Sequence, residues 1–137
     1  MRRALAASAA AMIAALATPV VAAADPTVPS PPFVAHAEWA KWGDLSSLRV
    51  YPTDAARAAS TQPDTTAQAD QMWAEVLTVS PDADIPGMRE QFMCHWHYAE
   101  LAYPGKESWN LEPWRPEVSW DEMLASHCNP GGTEEPF

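Results

Sequence analysis

The chain has 137 residues and a formal net charge of −10, from 18 Asp and Glu against 8 Lys and Arg. That length suits one domain, and that sign repels nucleic acid and anionic surfaces, so neither is an expected partner. Apolar mass comes largely from rings and sulfur, with seven Trp, six Met, three Tyr and three Phe, and large rings can build a compact core where aliphatic residues are few.

Residues 1–24 have the layout of a secretory signal peptide: Arg2 and Arg3, an apolar run from Ala4 to Ala17, and the small-residue exit Ala22-Ala23-Ala24. The run is shorter than the roughly 20 residues of a membrane span, so a released chain without a membrane span is expected, secreted or associated with the cell envelope. Residues 25–33 are rich in proline and predict a flexible extended tether. Order is expected over 34–130, followed by a disordered acidic tail at 131–137.

Within the ordered part, Ala35, Ala37 and Trp39 alternate with His36 and Glu38, and Leu48 and Val50 alternate with Arg49 and Tyr51. The two runs flank Gly43-Asp44 and Ser46-Ser47, which predicts a β-hairpin closed by Pro52. Thr65 and Gln68 stand at capping-box spacing ahead of Ala69, Met72, Trp73, Val76 and Leu77, a helical stripe that stops at Ser80-Pro81. A second helix is predicted from Asp84-Ile85-Pro86, with Ile85, Met88, Phe92, Trp96, Ala99 and Tyr103 on one face. Cys94, Tyr98 and Leu101 lie on the opposite face, which predicts a helix sandwiched in the middle of the domain. Trp109 to Pro116 holds two prolines and predicts an extended loop. Ser119 and Glu122 then open a short helix through His127.

Cys94 and Cys128 are the only cysteines. In an exported chain the even count favours one intramolecular disulfide, worth roughly 3–4 kcal/mol through loop closure. An intermolecular bridge or a metal site are the alternatives. The metal reading draws on His95, His97 and His127 beside the cysteines. On a helix His95 and His97 point far apart, and oxidised thiols are lost as ligands, leaving His95 and His127 as a candidate pair. No metal or cofactor is assigned. No serine sits in a nucleophile elbow and no glycine-rich phosphate loop is present, so no catalytic residue is assigned. The catalytic alternative is a small hydrolase using His95 with a carboxylate.

The segment with the strongest binding character is the loop carrying Trp109, Asn110, Glu112, Trp114 and Arg115, because Trp and Arg anchor interfaces and a pre-extended loop loses little entropy. The competing reading puts both rings in the core and pairs Arg115 with a nearby acid.

The strings Pro86-Gly87-Met88-Arg89-Glu90-Gln91-Phe92-Met93-Cys94-His95, Trp109-Asn110-Leu111-Glu112-Pro113-Trp114-Arg115-Pro116 and Cys128-Asn129-Pro130 resemble an exported, mostly actinobacterial family, the domain-of-unknown-function family 2599. The resemblance covers roughly residues 36–130 and implies an exported bacterial domain with two matching cysteines; it brings no activity. His95 falls inside its motif. The sequence thus predicts a small single α+β domain, an N-terminal β-hairpin packed on about three helices with one disulfide. Its expected role is that of a monomeric, non-catalytic interaction module for a protein, peptide or glycan, bound through the aromatic loop and His95.

Overall fold

The computed structural model describes Ala17, Pro19 and residues 29–132. Most of the predicted signal peptide and most of the acidic tail lie outside the described residues. Strands β1 (Val34–Trp42) and β2 (Leu45–Pro52) form the predicted hairpin. Gly43 takes a φ of 57° in its two-residue loop, a left-handed value that such loops require and glycine meets without cost. Alternation buries Leu48 and Val50 on one face of β2. A register shift between Val34 and His36 breaks the same alternation in β1, and Ala35 faces solvent as a result.

Helices α1 (Asp54–Ser60), α2 (Thr66–Val79), α3 (Met88–Ala102) and α4 (Trp120–Ala125) follow, with a 3₁₀ turn at Pro81–Ala83 and a short strand β3 (Trp109–Leu111) before α4. The sheet is antiparallel throughout, in the order β1-β2-β3. No helix among the described residues is long and apolar enough to cross a membrane.

The main core lies between the sheet and α1–α3. Ala69, Met72, Trp73 and Val76 of α2 and Met88, Phe92, Trp96 and Ala99 of α3 are buried against Leu48, Val50, Trp109 and Leu111. The rings meet at angles: Trp96 and Trp109 have centroids 6.2 Å apart at 89°, an edge-to-face contact that uses the quadrupoles of both rings. A second, smaller cluster joins Cys94, Met123 and Cys128 on the other side of α3. The central helix is therefore sandwiched in its first half only: of the second apolar stripe Cys94 is buried, whereas Tyr98 and Leu101, and Tyr103 at the end of the first stripe, are exposed. The disulfide Cys94–Cys128 ties it to the segment after α4.

Four expectations are corrected and one helix is added. The tether of 25–33 does not extend to its last residue: Phe33 is buried, and the backbone N–H groups of Phe33 and Val34 both donate to the Glu75 carboxylate, at 2.7 and 2.8 Å. Residues 53–64 carry no periodic signal, yet α1 forms there, capped by the Thr53 hydroxyl accepting from the Ala56 N–H. Thr65 does not cap α2 with its side chain; its hydroxyl accepts from Trp96 Nε1 and donates to Gln62 O. Helix α3 starts at Met88 rather than at Asp84-Ile85-Pro86. Residues 109–111 of the predicted loop are a strand, because the other edge of β2 offers Leu48, Arg49 and Val50 as pairing partners.

Candidate functional site

The loop residues expected to face a partner are mostly inside. Trp109 and Glu112 are 0% exposed and Arg115 is 3% exposed, so they are not presented at the surface. Trp114 is half-buried, its Nε1 donating to Ser46 O at 3.1 Å and its ring lying 4.5 Å beneath the Arg115 guanidinium. Asn110 accepts from the Ser108 hydroxyl at 2.7 Å. This is the competing outcome, rings in or near the core and arginine paired with an acid.

These residues form a buried polar clamp. Arg115 Nε donates to Glu112 Oε2 at 2.8 Å, and Nη1 donates to the carbonyls of Pro130 and Gly132 at 3.2 and 3.3 Å. The Ser47 hydroxyl of β2 donates to Glu112 Oε1 at 3.1 Å. From α3, the Gln91 amide bonds both backbone groups of Glu112. Charges removed from water this completely persist only when their hydrogen-bonding groups are met on several sides. The clamp joins β2, α3, the stretch after β3 and the chain end near Gly132. Gly131 completes it: a Cβ there would sit 2.6 Å from Pro116 Cδ, and its φ is 83°. Sequence reasoning missed Gln91 and Ser47. Gln91 stands three residues from both Met88 and Cys94, two apolar positions of α3, the one local hint of a buried partner.

His95 goes elsewhere. It is 6% exposed on α3, and its Nδ1 donates to Gln91 O at 2.8 Å, since a carbonyl oxygen can only accept. His95 lies at the edge of an open groove of ≈ 690 Å³, which begins where α4 stops covering α3. His95, Tyr98, Ala99 and Ala102 recur at i, i+3, i+4 and i+7 and share one face of α3. Leu124, His127, Cys128 and Asn129 line the groove from the C-terminal segment, and Tyr103 and Lys106 from the turn after α3. The segment turns sharply because His127 and Cys128 both hold left-handed backbones, with φ of 52° and 66°. Two consecutive non-glycine residues in that region are disfavoured, and the disulfide holds the second in place.

His127 and His95 thus line one groove, the pairing on which the metal alternative rests. Among the described residues no group of three His, Cys, Asp or Glu is placed to hold a metal ion. Among the described residues, none of those lining the groove is an acid. Gln91 links the two regions, with its backbone oxygen on His95 and its side chain on Glu112.

Fold and groove together define a small disulfide-bonded α+β domain with an open, largely apolar cleft beside the bridge. The family model described as protein of unknown function (DUF2599) matches residues 34–131, and the chain belongs to that family. It is 62% identical over 108 residues to uncharacterized proteins Rv0477 of Mycobacterium tuberculosis and Mb0487 of Mycobacterium bovis, covering 79% of this chain and 72% of each relative. Uncharacterized protein ML2452 of Mycobacterium leprae is 47% identical over 103 residues, covering 75% of this chain and 83% of that one. No solved structure gives a significant match.

Proposed function

We propose that this protein is an exported, non-catalytic binding module whose recognition surface is the groove between α3 and the segment after α4. The carrying observation is the groove itself, whose volume of ≈ 690 Å³ falls in the range of ligand sites and whose lining joins Tyr98, Ala99, Ala102, Tyr103 and Leu124 to a few polar groups. Its walls are preformed, because the disulfide and the clamp hold both sides, so a ligand orders little on binding. Among the described residues the lining places no carboxylate beside His95, which favours binding over hydrolysis. The signal-like leader and the disulfide both support export, since such bridges persist in oxidising compartments.

The test has two arms. Mass spectrometry of the protein from a producing culture should find it outside the cytoplasm, shortened near Ala24, with both cysteines bridged. Capture of ligands from culture medium with the mature protein should succeed, and Ala102→Trp, which fills the groove from an exposed position on α3, should abolish it. Free thiols in an uncleaved chain overturn export, and capture that is indifferent to Ala102→Trp overturns the groove as the surface.

A further inference from the structure

We infer that residues 117–129 form a flap latched by the disulfide, which a dithiol reductant releases while the rest of the domain stays folded; this is independent of what the groove binds. Both ends of the flap are fixed at one place. Arg115, just before it, donates to the carbonyls of Pro130 and Gly132, and Gly131 lies against Pro116. The chain therefore leaves and returns through the buried clamp, and the excursion between has a closed base. Its internal bonds are local: the N–H groups of His127, Cys128 and Asn129 donate to the carbonyls of Leu124, Met123 and Ser126, and the Ser119 hydroxyl accepts from the Glu122 N–H. Such bonds travel with the flap and survive its release.

Away from its base, the flap meets α3 through Met123 and the bridge, with Val118 and Leu124 packed beside them, and through Trp120 set edge-on to His97 at 6.3 Å between centroids. The main core is built without any of these residues. Cutting the bridge thus acts on the small cluster and leaves the larger one intact. Both cysteines line the open groove, with Cys94 0% and Cys128 7% exposed, so a small thiol approaches on the Cys128 side. Cys128 is also held at a φ of 66°, a left-handed backbone that a released non-glycine residue leaves with a gain. The step is thiol–disulfide exchange: a thiolate of the dithiol attacks Cys128 Sγ, the bond between the two sulfurs breaks, and the electron pair leaves on Cys94, which takes a proton from water. The second thiol of the reductant then displaces Cys128 from the mixed disulfide. The protein ends with two thiols and the reductant as its own disulfide, a transfer of two electrons and two protons. Release carries Leu124, His127, Cys128 and Asn129 away from α3, so the groove exists only in the oxidised protein.

The experiment treats the oxidised mature chain with dithiothreitol at neutral pH and follows loss of the bridge across a urea series below the unfolding transition. A latched flap predicts a reduction rate that changes less than about twofold up to half the urea midpoint, whereas a bridge reached only through global unfolding should be reduced more than about tenfold faster there. Hydrogen exchange of the reduced chain should be fast over α4 and the turn after it, and unchanged in the hairpin and α2. Reoxidation should restore slow exchange at α4. With glutathione in place of dithiothreitol and an acid quench, peptide mapping should find the first adduct on Cys128. A rate that climbs with urea as global unfolding does, or protection lost from the hairpin and α2 together with α4, overturns the latch and leaves the bridge a staple of the whole domain. A first adduct on Cys94 overturns the order of attack.

Discussion

Gln91 and Glu112 hold each other as neighbouring strands would: the Gln91 Nε2 donates to Glu112 O at 2.9 Å, and the Glu112 N–H donates to Gln91 Oε1 at the same distance. One side chain thereby takes both backbone groups of a buried residue that has passed the end of β3. Helix α3 is locked to the sheet side of the domain through that ring, and the same residue carries the bond to His95 at the groove.

Gln91→Leu should be severely destabilising, because it strands a buried N–H and a buried carbonyl in an apolar setting. About 2–4 kcal/mol is expected, and urea unfolding followed by tryptophan fluorescence measures it. Gln91→Glu should be nearly as costly, since the carboxylate loses the donor to Glu112 O and brings a charge into the interior.

Arg115→Ala should cost about 3–5 kcal/mol by leaving the Glu112 carboxylate buried and unpaired. The pair has fully buried side chains on both partners, so salt should barely change the loss. Replacing both partners, Glu112→Leu with Arg115→Met, should cost less than the sum of the single variants in a double-mutant cycle. Strict additivity would show that the two side chains act independently.

The aromatic residues separate by depth. Trp109→Ala removes a fully buried ring in contact with Trp96 and Phe92 and should cost about 3–5 kcal/mol. Trp120→Ala, at a position 42% exposed, should cost less than about 1 kcal/mol. Thermal melting of the two variants side by side tests the assignment; similar melting temperatures would contradict it.

Replacing both cysteines, Cys94→Ala with Cys128→Ala, should destabilise by about 3–4 kcal/mol and act first at the end of the chain. The small cluster of Cys94, Met123 and Cys128 depends on the bridge, whereas the larger core does not contain it. Hydrogen exchange should therefore speed up over residues 118–132 well before the hairpin and α2 lose protection, and ligand capture by the groove should weaken in parallel.

Much of the architecture was already determined by local pattern. Alternation in 35–39 and 48–51 specifies a hairpin and spacing from Ala69 to Val76 specifies a helix, because each depends on neighbours a few residues away, and two cysteines allow a single internal pairing by count alone. Tertiary structure alone decided the fate of the Trp109 to Pro116 segment, which has the composition of a binding loop and the position of a core clamp. Its burial is set by Ser47 and Gln91, 65 and 21 residues distant from Glu112, just as Glu75 captures the end of the proline-rich segment across 42 residues. The groove was equally hidden, since it exists where α4, only six residues long, leaves the second half of α3 uncovered. Periodicity reports which face of an element is apolar, but the length and placement of the element opposite decide whether that face is buried or left open.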